Sequence, residues 1–93
     1  MFRVPRNNLI ECDEGFSVEV LGRTGLRYRE GDRSLFIDSE VLTGEPAMVL
    51  YSGSIRHWEP PHQAGTIDDA TRAAIIDRVR RAIRFQGHEI DVF

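Results

Sequence analysis

His57, Glu59 and His62 are metal-ligating residue types gathered in one short segment, Tyr51 to His62. Zinc chemistry of the His-Glu-x-x-His kind needs both histidines on one helix face. Here Pro60-Pro61 stands between them and prevents a shared helix, so structural or surface histidines fit better. Asp68 and Asp69 offer two carboxylates for acid–base work. Adjacent helix residues point about 100° apart, so the pair does not converge on one substrate atom and reads as acids at a helix start. Gly22-Arg-Thr-Gly25 is too short for a phosphate loop and has no lysine. Ser52-Gly53-Ser54 lacks the Gly-x-Ser-x-Gly pattern of a nucleophile elbow. Cys12 is the sole cysteine; that excludes an internal disulfide and a thiolate zinc cage, and a small core residue on a strand is the simplest role for it. Nothing in the pattern asks for catalysis, a metal or a cofactor.

The same segment holds the one tryptophan, Trp58, beside Glu59-Pro60-Pro61. The prolines predict a stiff, extended unit. A tryptophan there can plug the core where a sheet hands over to a helix, or present an aromatic anchor to a partner.

The elements that must position these residues are legible from hydrophobic periodicity. Asn8 to Cys12, Phe16 to Val20, Leu26 to Glu30 and Ser34 to Asp38 alternate or nearly so, with turns at Asp13-Glu14-Gly15, Gly22 to Gly25 and Glu30 to Arg33. Ser39 to Pro46 reads as an acidic, glycine-bearing connection. Ala47 to Tyr51 is nearly all apolar, as a strand covered on both faces should be. Such short turns imply antiparallel neighbours. The period then changes. Thr66 is the expected N-cap, with Asp69 in the capping-box position, of a helix from about Ile67 to Phe85. Ile75, Ile76, Val79, Ala82 and Ile83 form its apolar stripe, and Gly87 its left-handed terminator. Arg72 falls on the apolar side, where it either clears the sheet or pairs with a buried acid. His88 to Phe93 alternates again and returns as a final strand. Residues 1–93 therefore form one α+β domain: an antiparallel meander of about five to six short strands, one long C-terminal helix packed on one face, and a final strand.

Net charge is −3, and all 12 basic residues are arginine. That balance disfavours direct nucleic-acid binding, and Arg78, Arg80, Arg81 and Arg84 read as a solvated helix face. No apolar run approaches the about 20 residues of a membrane helix, and the N-terminus lacks the apolar core of a signal peptide. The chain is expected in the cytosol of its producer. Acidic residues cluster in the connections: Glu11, Asp13 and Glu14; Glu30 and Asp32; Asp38, Glu40 and Glu45. Loops sharing one edge would make an acidic patch that steers a basic partner.

Ser54-Ile55-x-x-Trp58-x-Pro60-Pro61, followed by Ile67-Asp68-Asp69 and Ile75-Ile76-x-x-Val79-x-x-Ala82-x-x-Phe85-x-Gly87, resembles the immunity protein 74 family of bacterial polymorphic toxin and contact-dependent inhibition systems. The resemblance covers Tyr51 to Val92; upstream only length and style agree, and the lysine and glutamate richness associated with family helices is missing. It implies a small cytosolic, non-catalytic protein that binds the C-terminal domain of a cognate toxin and blocks it. An acidic inhibitor suits a nuclease toxin, with RNA cleavage favoured. Glu11, Asp13, Glu14, Asp38, Glu40, Glu45 and Trp58 are the candidate toxin-contacting residues. Two other classes stay open: a small binding or regulatory module unrelated to toxins, and a small hydrolase or nuclease. A large secreted toxin gene directly upstream separates the first from the family reading; metal-dependent cleavage by the purified chain identifies the second.

Overall fold

Alternating apolar and polar residues put one side of each strand into a core and the other into water, and the computed structural model, which describes residues 1–93, shows that division. Strands β1 (Phe2–Arg6), β2 (Leu9–Cys12), β3 (Phe16–Val20), β4 (Gly25–Glu30), β5 (Arg33–Val41), β6 (Met48–Leu50) and β7 (Ile90–Val92) form one seven-stranded sheet in chain order. β1 to β6 pair antiparallel. β7 pairs parallel to β6, which a tight turn cannot achieve; helix α1 (Asp69–Phe85) supplies the crossover. The α+β reading holds, with two additions.

β1 was not legible because only Phe2 of its five residues tucks inward. It is an edge strand, where Pro5 removes no ladder bond that the sheet needs. β5 runs on to Val41 because Ser39, a polar residue, takes an inward position. Its Oγ is buried without a partner. A polar inward residue interrupts the hydrophobic alternation, so the sequence reads as a loop where the backbone continues a strand. Met48, Val49 and Leu50 are all buried, as the apolar run in β6 predicted.

The core joins the inward side of the sheet to α1. Ile10, Val18, Tyr28 and Leu35 lie side by side across β2 to β5, and Ile75, Val79, Ala82 and Ile83 cover them from the helix. The N-cap is Asp68, not Thr66: its Oδ1 accepts from the Thr71 N–H at 2.7 Å. Thr66 is occupied in a bridge to His57, and the Ile67 N–H donates to the Arg56 carbonyl, so the chain is still extended two residues beyond the expected start. At the other end Gly87 has φ of 87°, and the Gly87 and His88 N–H groups donate to the Arg84 and Ile83 carbonyls. That paired pattern satisfies the last helical carbonyls.

Between β6 and α1 the chain forms a strap along the edge of β5 that β6 leaves uncovered. After a 3-10 turn at Ser52–Ser54, Ser54 Oγ accepts from the Asp38 N–H at 2.9 Å and the Glu59 N–H donates to the Ser34 carbonyl at 2.7 Å. These bonds replace a neighbouring strand and close an otherwise exposed edge. Ile55 and Trp58 enter the core from the strap, and Trp58 packs 6.3 Å from the Tyr28 ring centroid. The prolines that follow do not extend the chain. The His62 N–H donates to the Glu59 carbonyl at 3.0 Å, so the segment turns back on itself; the Pro60-Pro61 bond is cis.

Candidate protein-interaction surface

With its one helix on the inward side, the sheet leaves most of its outer face to solvent, Val49 of β6 being buried there. Register fixes which side chains share that face. Glu11, Ser17, Arg29 and Ser34 form one row, and Leu9, Glu19, Arg27 and Phe36 the next. Leu21, Gly25, Asp38 and Tyr51 form a third: Gly25 pairs with Asp38, and the Leu21 and Tyr51 N–H groups donate to the Gly25 and Asp38 carbonyls. Glu40, Val49 and Asp91 form the last. Gly25 has a packing reason to lack a side chain, since the Phe36 ring lies where its Cβ would stand.

The two halves of this face differ in charge balance. Towards β1, Glu11 pairs with Arg3 at 2.8 Å and Glu19 with Arg6 at 2.7 Å; at the edge of β5, Glu59 of the strap pairs with Arg27 at 3.4 Å. Ser34 Oγ also donates to Glu59 at 2.9 Å. Towards β7, no cation lies within ion-pair distance of Asp38, Glu40 or Asp91. Phe36, Tyr51 and Leu21, each at least 40% exposed, stand among them.

The acids singled out in the sequence do not form one patch. Glu11 lies on the paired half of the outer face. Asp13 and Glu14 sit in the β2–β3 turn at one end of the sheet. Asp13 bonds the N-terminal amine, which holds its carboxyl below the usual range. Glu14 bonds Arg81 at 2.5 Å and is lowered by it. Glu45, in the β5–β6 connection at the opposite end, accepts from His88 and from the Glu89 N–H and is lowered by both, the histidine first. Asp38 and Glu40 alone among the six share the unpaired half. Trp58 is 6% exposed and belongs to the core. Asp91, Phe36, Tyr51 and Leu21 escaped the sequence reading; the outward alternation of Phe36, Asp38 and Glu40 along β5 was the available signal.

The helix arginines are largely neutralised. Arg78 donates to Glu30 at 2.6 Å and to the Tyr28 hydroxyl at 3.2 Å, while that hydroxyl donates to Glu30 at 2.7 Å. Burial raises the Tyr28 phenol well above its ordinary value. Arg81 takes Glu14, and Arg84 takes Glu89 at 3.0 Å. Arg78 and Arg81 also lie over the Phe16 ring, about 6 Å from its centroid. A nucleic-acid stripe needs free guanidiniums, and most of these are engaged by the protein itself.

The reactive residue types are likewise scattered. His62 faces Asp32 at 3.5 Å, Glu59 serves Ser34 and Arg27, and His57 is exposed, its backbone bridged to Thr66. No three His, Cys, Asp or Glu side chains are placed to hold a metal ion. Cys12 is buried. A groove of about 540 Å³, floored by Ile10, Val20, Val41, Met48 and Ile83, has Glu45 and His88 as its only ionisable lining residues, bonded to one another. No helix is long and apolar enough to cross a membrane.

Compared with known proteins, residues 17–93 match the family model described as immunity protein 74. The match begins well upstream of the Tyr51 to Val92 motif and takes in β3 to β7 and α1. No curated protein and no solved structure matches the chain.

Proposed function

The chain belongs to the immunity protein 74 family, and from that membership we propose that it binds and neutralises the C-terminal toxin domain of a cognate contact-dependent inhibition or polymorphic toxin. The family match over residues 17–93 carries this reading. It acts in the cytosol of the producing cell, where an incoming or misdirected toxin would do damage, and it acts by contact: a rigid inhibitor covers the toxin's active site and needs no reacting group of its own.

The toxin is a nuclease, with RNA as the favoured substrate. Nucleases need positive surface to hold phosphates, and an acidic inhibitor can occupy that surface with charge-assisted hydrogen bonds. The net charge of −3 and the uncompensated carboxylates of the outer face support this pairing. The test is to express the C-terminal domain encoded directly upstream, with and without this chain, and to follow growth, complex formation and RNA cleavage. The expected result is a stable complex, restored growth and intact RNA. A toxin domain that still kills, with no complex formed, would leave a small binding module unrelated to toxins. Protection with intact RNA in both arms would keep the immunity reading and reject the ribonuclease.

A further inference from the structure

We propose that the β5–β7 half of the outer sheet face is the docking surface, and that its occupant is a basic, partly apolar segment of the toxin domain. This rests on the immunity reading above. The argument begins with what the sheet leaves unfinished. On the β1 side, the outward carboxylates Glu11 and Glu19 have each been given an arginine by the chain itself. On the β7 side, Asp38, Glu40 and Asp91 have none. Arg23, in the turn before β4, bonds Val41 through its carbonyl, yet its side chain pairs with no acid.

Like charges gathered on one sheet face repel one another weakly through solvent and raise the local negative potential. Asp38 and Glu40 lie about 7 Å apart along one strand, and Asp91 about 10 Å from Glu40 across β6. A basic partner removes that repulsion on binding and pairs each acid.

Apolar anchors stand beside them: Leu21 and Tyr51 in the row of Asp38, and Phe36 in the neighbouring row, opposite Arg27. Phe36 lies over Gly25, whose missing side chain lets the ring rest on the backbone. Leu21 and Tyr51 occupy the two ends of the row through Gly25 and Asp38. Exposed aromatic groups ringed by polar ones are the composition of an interface centre. The surface is built on β-strands pinned on the far side by the core, and Ser54 and Tyr51 bond the N–H and the carbonyl of Asp38. It therefore needs little ordering on binding.

The test uses the full-length protein and the toxin domain encoded upstream, titrated over a series of salt concentrations. Asp38→Asn/Glu40→Gln/Asp91→Asn is expected to weaken binding about a hundredfold at low salt and to flatten the salt dependence. Phe36→Ser/Tyr51→Ser is expected to weaken it by tenfold or more at all salt concentrations. A charge-matched control away from this half of the face, Glu14→Gln/Asp32→Asn in the end turns and Asp77→Asn on α1, should stay within about threefold. Glu40→Arg, at a side chain with no partner to lose, keeps the test readable if a multiple variant unfolds, and should also cost at least tenfold. Tight binding by the unaltered chain together with unchanged binding by Glu40→Arg and Phe36→Ser/Tyr51→Ser would overturn the docking surface and leave the immunity reading standing. No binding by the unaltered chain would overturn both.

Discussion

Arg72 shows how a single residue can defeat a helical wheel and still obey physical chemistry. It projects towards the apolar side, as its position in the period requires, but it does not meet a buried acid. Its Nε donates to the Ile55 carbonyl at 3.0 Å and its Nη2 to the Ile67 carbonyl at 3.4 Å, while Nη1 holds Asp69 at 2.6 Å. The planar fork thus ties the strap, the chain before the helix and the first helical turn together. Those two carbonyls belong to buried residues with no strand beside them, so their loss leaves acceptors without donors. Arg72→Ala is expected to lower stability by about 1–3 kcal/mol, read as a shifted urea midpoint with an unchanged slope. Arg72→Lys should recover little, because an ammonium cannot serve three diverging acceptors. An unchanged midpoint in both variants would reject the clamp. The sequence shows that this position is odd; it cannot show that the acceptors are backbone carbonyls, since those are created only when the strap folds back. Trp58 is the converse case. Either a core plug or an anchor fits its neighbours in sequence, and only the covered edge of β5 decides that the indole faces inward.

At the scale of elements, hydrophobic period located β2, β3, β4, β6, β7 and α1 because their inward residues are mostly apolar, Glu30 of β4 and Arg72 of α1 being exceptions. It lost β1 and the end of β5 because Pro5 and Ser39 break the pattern in positions where tertiary contacts, not local preference, set the backbone. The docking of helix to sheet adds a layer that the period does not contain. Arg78 and Arg81 reach from α1 to Glu30 and Glu14 at the turns that end β4 and β2. The sequence presents those arginines as a solvated stripe because their partners are 48 and 67 residues away. This arrangement has a pH signature. Asp13, Glu14, Glu45 and Asp68 are all held below their ordinary values by the N-terminal amine, Arg81, His88 and the Thr71 N–H respectively. For a lowered carboxyl, the stabilisation is fully present above the unfolded-state value, 3.8 for Asp and 4.5 for Glu. It is lost as pH falls through the folded-state value. These groups are exposed and screened by solvent, so the urea midpoint should change little above about pH 5 and fall modestly below about pH 4. Glu14→Gln should shallow that fall. A midpoint that is flat down to about pH 2.5 would show that these pairs contribute nothing to folding.

For the molecule as a whole, the decisive question is whether the β1–β2 hairpin belongs to the fold or is appended to it. The family match starts at Ser17, which by itself would make the first sixteen residues dispensable. The packing argues otherwise. Ile10 and Cys12 are buried in the same core as Val18, Tyr28, Val79 and Ile83. Phe16 also joins that core, stacked on Tyr28 and covered by Arg78 and Arg81. Phe2 completes the edge, meeting Phe16 and Phe85 at centroid distances of 5.9 and 5.4 Å. A chain beginning at Ser17 loses these side chains, strips Arg81 of Glu14 and leaves β3 as a bare edge. Each fully buried Ile or Phe contributes about 1.5–3 kcal/mol, and a domain of this size has about 5–10 kcal/mol in total. Removing Met1 to Phe16 is therefore expected to abolish the cooperative thermal transition and the near-ultraviolet circular dichroism of Trp58 and Tyr28, while helical signal partly survives. A truncated chain that melts cooperatively within a few degrees of the full one would make the hairpin an appendage. Because the docking surface is held rigid by the core beneath it, loss of the hairpin should also weaken toxin binding, although no residue of β1 or β2 lies in the β5–β7 half of the face.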